Sequence, residues 1–105
     1  GIATSDKEGK RILDTFASKK ALMMGNHGIT VVGETVAEAF EDLYYLEKAC
    51  KTMVLAYSTG QELNVLPHEL ALETAQSWDD FRGAAFAHFE QLKEHLDQKG
   101  SSYRD

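Results

Sequence analysis

The sequence has one cysteine, Cys50, among its 105 residues, so no disulfide can form within the chain. A single thiol fits a reducing compartment, and we predict a cytoplasmic protein. Basic side chains do not cluster beyond one Lys-Lys pair, and the formal net charge is -6. Because nucleic-acid binders need a basic surface, we predict no nucleic-acid partner.

Long apolar runs are also missing. No stretch approaches the ~20 apolar residues that a membrane span requires. Residues 1–10, GIATSDKEGK, lack the apolar segment of a signal peptide, so we predict no membrane partner. Aromatic and aliphatic residues are too plentiful for a disordered chain, and the length suffices for one small domain. We therefore expect a soluble globular protein.

Two capping boxes mark the starts of helices. Ser5 and Glu8 have the required spacing before a helix of about three turns, whose apolar face contains Ile12, Leu13 and Phe16. Thr35 and Glu38 have the same spacing before a long helix that we expect to end near Ser58. Its apolar residues recur at three- and four-residue steps, namely Val36, Phe40, Leu43, Tyr44, Leu46, Cys50, Met53, Val54 and Tyr57.

The segment between these helices predicts a β-hairpin. Two apolar runs, Ala21–Met24 and Ile29–Val32, are too short for helices and flank Gly25–Gly28, which has the composition of a turn. A last helical region begins at Pro67 and ends before Gly100, and Gly83 permits a break within it. The predicted order is α-β-β-α-α.

The hairpin strands predict neighbours that the chain does not supply. Neither ALMM nor ITVV alternates apolar with polar residues, which is typical of strands covered on both faces within a wider sheet. A two-stranded sheet is only marginally stable in water. We therefore expect further strands, either from a second copy of the chain or from another segment of a larger domain.

Four histidines are candidate ligands. His27, His68, His88 and His95 show no metal-binding spacing such as H-x-H or H-E-x-x-H. We interpret His88 and His95 as residues of a solvated or partly buried helix face, His68 as a neutral surface residue and Cys50 as a core residue. His27 differs because small residues surround it at the tip of the predicted turn. The pattern alone leaves both an ordinary turn residue and a ligand open.

A family resemblance favours the ligand. Residues 22–56, LMMGNHGITVVGETVAEAFEDLYYLEKACKTMVLA, resemble the class II aldolase/adducin family. The shared features are the turn Asn26-His27-Gly28, Gly33, the segment Glu38-Ala39-Phe40 and the segment Leu46-Glu47-Lys48-Ala49. The resemblance extends to the C-terminal tail, and residues 1–105 correspond to about the C-terminal half of the family domain. Gly25 departs from the pattern, since many family enzymes have a larger residue there, often Arg.

The resemblance implies a three-layer α/β/α sandwich, of which this chain forms the C-terminal part. It further implies a zinc-dependent lyase that cleaves carbon–carbon bonds in small sugars or sugar phosphates. His27 corresponds to one zinc ligand, and Asn26 and Gly28 support its turn. The family's remaining ligands, a His-x-His pair, and its catalytic carboxylate belong to an earlier segment that this sequence lacks. We therefore expect an incomplete zinc site and no activity from the chain alone.

Two other functions stay open at this stage. An adducin-like module would have the same fold and act in protein assembly without metal chemistry. A helical interaction domain would use its hairpin to pair with the sheet edge of a partner. As partners we expect a second copy of the chain or the earlier family segment.

Overall fold

A computed structural model describes residues 5–104 and divides the chain into two compact units, Gly1–Glu34 and Thr35–Asp105. The first unit contains helix α1 (Asp6–Phe16), strand β1 (Ala21–Met24) and strand β2 (Gly28–Val31). The second contains helices α2 (Val36–Ser58), α3 (His68–Asp80) and α4 (Gly83–Gln98). The described residues are thus mostly helical, with one two-stranded sheet. None of their helices combines the length and the apolar character needed to cross a membrane.

Helix α1 begins as its capping residues predict. The Ser5 side-chain oxygen accepts a hydrogen bond from the Glu8 backbone N–H at 3.3 Å. The Glu8 carboxylate accepts from both Nε and Nη2 of Arg11, one turn further along the helix. At the other end Phe16 is buried, and α1 contacts β1. The predicted apolar face is only partly buried, because Leu13 remains 71% exposed.

The hairpin forms at the predicted position. Strands β1 and β2 are antiparallel, with Met24 paired to Gly28 and Ala21 paired to Val31. Strand β2 begins one residue earlier than predicted and ends one residue earlier. Met23 on β1 is 64% exposed, although the sequence predicted apolar strands with both faces covered.

Helix α2 matches its predicted bounds. The Thr35 hydroxyl oxygen accepts from the Glu38 N–H at 3.2 Å, and the hydroxyl donates to the Glu38 carboxylate at 2.8 Å. Both partners of this capping box are therefore engaged. After Ser58 the chain leaves the helix, and Gly60 adopts a φ of 68°, which glycine accommodates without steric cost.

The predicted order α-β-β-α-α is wrong in its last element, because the C-terminal helical region divides into α3 and α4. The structure has the order α-β-β-α-α-α. The break falls at Phe81, whose φ of -110° and ψ of 39° are not helical, and Gly83 follows as a weak helix former. The break places Arg82 against α2, where its guanidinium binds Asp42.

The contact between α2 and α4 buries few side chains. Ala37 and Glu41 of α2 and Ala85 of α4 are the buried residues of this unit. Phe40 and Tyr44 also meet α4, since the Phe40 ring lies 5.7 Å from that of Phe89 between centroids. The predicted apolar face is therefore only partly buried, since Val36 and Leu43 in the first half of α2 are 74% and 40% exposed. Its later members, Met53, Val54 and Tyr57, are 46%, 69% and 66% exposed.

Candidate functional site

The tip of the hairpin holds the predicted ligand. The His27 backbone N–H donates to the Met24 carbonyl oxygen at 3.1 Å, which closes the turn, and the His27 residue is exposed. Asn26 adopts a φ of 61° and Gly28 a φ of 134°. Asparagine tolerates the first value, whereas the second is favourable only for glycine. The sequence Asn-His-Gly thus suits a turn that presents one imidazole.

Helix α1 contains the ion pair of Glu8 and Arg11. Arg11 lowers the pKa of the Glu8 carboxyl below its ordinary value, mainly through their hydrogen bonds, and His27 contributes a smaller effect of the same sign. The same pairing raises the pKa of Arg11. Arg11 engages both oxygens of this carboxylate.

The described residues do not assemble a metal centre around His27. Across residues 5–104, no group of three or more His, Cys, Asp or Glu side chains could hold a metal ion. A catalytic zinc takes about three protein ligands and keeps one open position. His27 fits the role of one such ligand, and Asn26 and Gly28 lie beside it in the turn. A complete set of three such ligands is therefore not present among residues 5–104.

The remaining histidines have different environments. His68 and His95 are exposed, in the first turn of α3 and the last turn of α4. His88 is half-buried, and its Nδ1 lies 2.5 Å from Oε2 of Glu41. The sequence predicted a solvated or partly buried helix face for His88, which agrees with its half-buried position, but it did not single out Glu41.

A second polar pair lies in the same unit. Nη1 and Nη2 of Arg82 donate to the two carboxylate oxygens of Asp42 at 2.6 and 3.1 Å, and Nη2 also donates to Asp79 at 3.0 Å. The Asp42 carboxylate raises the pKa of Arg82 above its ordinary value. Glu41 and Arg82 also line a cavity of about 260 Å³ between α2, α3 and α4. No sequence motif marked this arrangement.

Comparison with known proteins identifies the family. Residues 2–54 match the family described as "Class II Aldolase and Adducin N-terminal domain", which covers half of the chain. The chain therefore belongs to the class II aldolase and adducin family, as the resemblance predicted. The match includes the whole hairpin, His27 and most of α2.

Three relatives show the range of proteins that share these residues. A "Putative aldolase class 2 protein" of Caulobacter vibrioides is 45% identical over 76 residues, which cover 72% of this chain and 28% of that protein. "Decarboxylase NovR" of Streptomyces niveus is 30% identical, with 72% and 26% covered. Human beta-adducin is 42% identical over 41 residues, with 39% and 6% covered.

The chain spans about a quarter of the length of the aldolase-like relatives that it matches, from 26% to 28% for the first three. No solved structure matches the chain. Class II aldolases are generally zinc-dependent. The family is thus established, whereas the relatives' names include an aldolase-type protein, a decarboxylase and an adducin.

Proposed function

We propose that residues 1–105 are the C-terminal part of a class II aldolase-like domain and contribute His27 to a zinc-dependent lyase. The observation that carries this proposal is the exposed residue His27 at the tip of the family-matched hairpin. The substrate class would be a small sugar or sugar phosphate with a carbonyl group. The chain alone would be inactive, because further ligands and an acid–base group are needed.

The residues of the turn would contribute by holding the imidazole of His27 in a fixed position. Neutral imidazole is a common zinc ligand, and a turn fixed by Asn26 and Gly28 directs the ring from a defined backbone. A bound zinc ion would supply Lewis-acid polarisation of a carbonyl or enediolate oxygen. His27 would hold the ion, while an earlier segment of the family domain would provide the other ligands.

The three-layer α/β/α sandwich belongs to the same proposal. The two strands of residues 21–31 form the only sheet that residues 5–104 contain, and each strand has one edge without a strand partner there. An exposed edge beside an apolar, 64% exposed Met23 favours pairing with additional strands. The earlier family segment or a second copy would supply these strands, in a cytoplasmic assembly.

Zinc content tests the ligand directly. The chain would be joined to the preceding segment of a family domain, either covalently or by co-expression, and its bound zinc would be measured with and without His27→Ala. We expect His27→Ala to remove most of the zinc, whereas His68→Ala and His95→Ala, at exposed helix positions, leave the content unchanged. Retro-aldol turnover gives a second measurement. Full zinc retention by His27→Ala would refute the proposal.

An adducin-like assembly module is the second candidate. The similarity to human beta-adducin, which includes 41 aligned residues at 42% identity, favours it. Measurements of zinc binding and complex formation on the same reconstituted protein distinguish the two functions. If it folds and forms complexes but binds no zinc, the assembly role is supported and the lyase proposal fails.

A further inference from the structure

Helix α2 makes its contacts with α3 and α4 through one face. Glu41 of α2 is buried there, and the Tyr44 ring lies 4.9 Å from that of His88 between centroids. The Tyr45 ring lies 4.8 Å from that of Trp78 on α3. Because about 3.6 residues make one turn, positions 41, 44 and 45 lie on the same side of α2. The opposite side of the helix takes no part in these contacts.

That opposite side carries a continuous apolar stripe. We call its six members the α2 stripe: Ala39, Leu43, Leu46, Cys50, Met53 and Tyr57. They lie roughly 170° around the helix axis from Glu41 and Tyr44. Leu43, Met53 and Tyr57 are 40%, 46% and 66% exposed, so much of the stripe is in contact with water. Contiguous exposed apolar surface commonly marks an interaction site.

The spacing of the stripe indicates a helix as its partner. Its residues are separated by four, three, four, three and four positions. Alternating steps of this kind give the apolar repeat of about 3.5 residues that is found where two helices pair along their length. Positions 43, 50 and 57 would be the a positions of such a pair, and positions 39, 46 and 53 would be the d positions.

The stripe is complementary to itself when two copies run antiparallel. In a pair centred on position 48, each residue faces a different residue of the second copy, in layers that pair Ala39 with Tyr57, Leu43 with Met53, and Leu46 with Cys50. The smallest side chains thus meet larger ones, which a closely packed interface requires. A parallel pair would instead place two Tyr57 rings in one layer and two Ala39 methyl groups in another.

The charges beside the stripe favour the same orientation. Glu47 and Lys51 are exposed, one turn apart, on one flank of the stripe. In the antiparallel pair these side chains of both copies meet at the centre, where two carboxylates and two ammonium groups balance and Lys51 can reach Glu47 of the second copy. In a parallel pair Glu47 would approach Asp42 of the second copy, and the two carboxylates would repel each other.

We propose that the α2 stripe is the interface of an antiparallel homodimer, in which two α2 helices pair around a two-fold axis near position 48. The partner is a second copy of this chain, because the stripe supplies both the complementary layers and the balanced charges by itself. The inference goes beyond the proposed zinc chemistry and uses no residue of the hairpin.

Sedimentation equilibrium of the full chain and of two matched variants tests the interface. Met53→Glu introduces a charge into the stripe, and Leu55→Glu introduces the same charge at an apolar, 61% exposed position of α2 outside the stripe. We expect a reversible dimer at micromolar concentrations of the unaltered chain. Met53→Glu should weaken the dimer at least about tenfold, since a carboxylate would be buried in the interface, whereas Leu55→Glu should change it by less than about twofold.

Thiol cross-linking tests the orientation of the two helices. Two variants would each contain Cys50→Ala, one together with Leu43→Cys and the other together with Met53→Cys. If the pair is antiparallel, a short cross-linker should join the two variants to each other in a mixture and should join neither to itself. A parallel pair would give cross-links within each variant alone.

Three results would overturn the proposal: a chain that stays monomeric at millimolar concentration, equal weakening by Met53→Glu and Leu55→Glu, or cross-links within single variants. A dimer that is lost when the preceding segment of a family domain is joined to the chain would also overturn it, and would assign the stripe to that segment. If Met53→Glu does not fold, as judged by circular dichroism, the oligomeric state of the unaltered chain and the cross-linking pattern decide the question. The zinc measurements on His27 are independent of these results.

Discussion

The unit with the hairpin (Gly1–Glu34, the hairpin unit) and the unit with α2 to α4 (Thr35–Asp105, the helical unit) differ in how far their polar site residues are buried. In the first, His27 is exposed on a turn whose shape depends on two neighbouring residues, Asn26 and Gly28. In the second, Glu41 is buried and meets His88 from a helix 47 positions further along the chain. Local backbone preferences therefore build one candidate site, and packing between distant segments builds the other.

The largest expected effect concerns the turn of the hairpin unit. Gly28→Ala forces a side chain onto a backbone with a φ of 134°, which should cost up to about 3 kcal/mol. No atom lies within 4 Å of the added Cβ, so this cost would come from backbone strain alone. Hydrogen exchange of the amides in residues 21–31 measures it.

Gly25→Ala is the matched control for that substitution. Its added Cβ also meets no atom within 4 Å, and its φ is not positive. We expect little change in exchange for this variant and faster exchange for Gly28→Ala. Equal exchange in both would show that the turn does not depend on the glycine conformation.

The second-largest expected effect concerns the long-range ion pair between Asp42 and Arg82 in the helical unit. Asp42→Asn removes a charge that accepts two hydrogen bonds from Arg82, at a site where both side chains are mostly buried. We expect unfolding to become easier by about 2 kcal/mol. Urea unfolding followed by the fluorescence of Trp78, the single tryptophan, reports on this unit.

Asp79→Asn sharpens that test. Asp79 binds the same guanidinium but is 44% exposed, and exposed ion pairs contribute about 1 kcal/mol at most. Its substitution should therefore destabilise the unit less than Asp42→Asn. The reverse order would mean that the contact between α2 and Arg82 is not the stabilising one.

The difference between the units also explains which features could be predicted from the sequence and which could not. Capping residues and turn residues act within four positions, so the starts of α1 and α2, the end of α2 and the hairpin could be read directly. The break at Phe81 could not, since Gly83 permits a break without requiring one. The binding of Arg82 to Asp42 is a contact over 40 positions, for which a single sequence has no signal.

The same reasoning applies to the site residues. His27 was found because an imidazole is unnecessary in a turn that glycine and asparagine already satisfy. Its role as a zinc ligand stays a prediction, because the described residues contain no group of three or more possible ligands. Glu41 was missed because the apolar periodicity of α2 predicts that apolar residues, and not a carboxylate, occupy the buried positions of the helix. Burial of a carboxylate depends on the approach of His88, which helical spacing in one segment does not encode.

A smaller effect is expected at the start of α2. Thr35→Ala removes the oxygen that accepts from the Glu38 N–H and should destabilise the helical unit by about 1 kcal/mol. Thr35→Ser keeps that oxygen and should restore most of the loss. Urea unfolding followed by Trp78 fluorescence again measures both variants. A serine variant as unstable as the alanine variant would show that the methyl group matters, not the cap.

The smallest effect is a pH dependence at α1. Hydrogen bonds from Arg11 lower the pKa of Glu8 below its ordinary value of 4.5. The stabilisation is therefore complete above pH 4.5 and is lost as the pH falls through the lower pKa of the folded state. Because the pair is exposed, the effect should be small and should weaken further in high salt. Glu8→Gln should remove this part of the pH dependence of α1 helicity, whereas Asp14→Asn, an exposed carboxylate on the same helix, should retain it. Backbone chemical shifts of α1 measured from pH 7 to pH 3 distinguish the two variants, and an unchanged titration in Glu8→Gln would assign the dependence to another group.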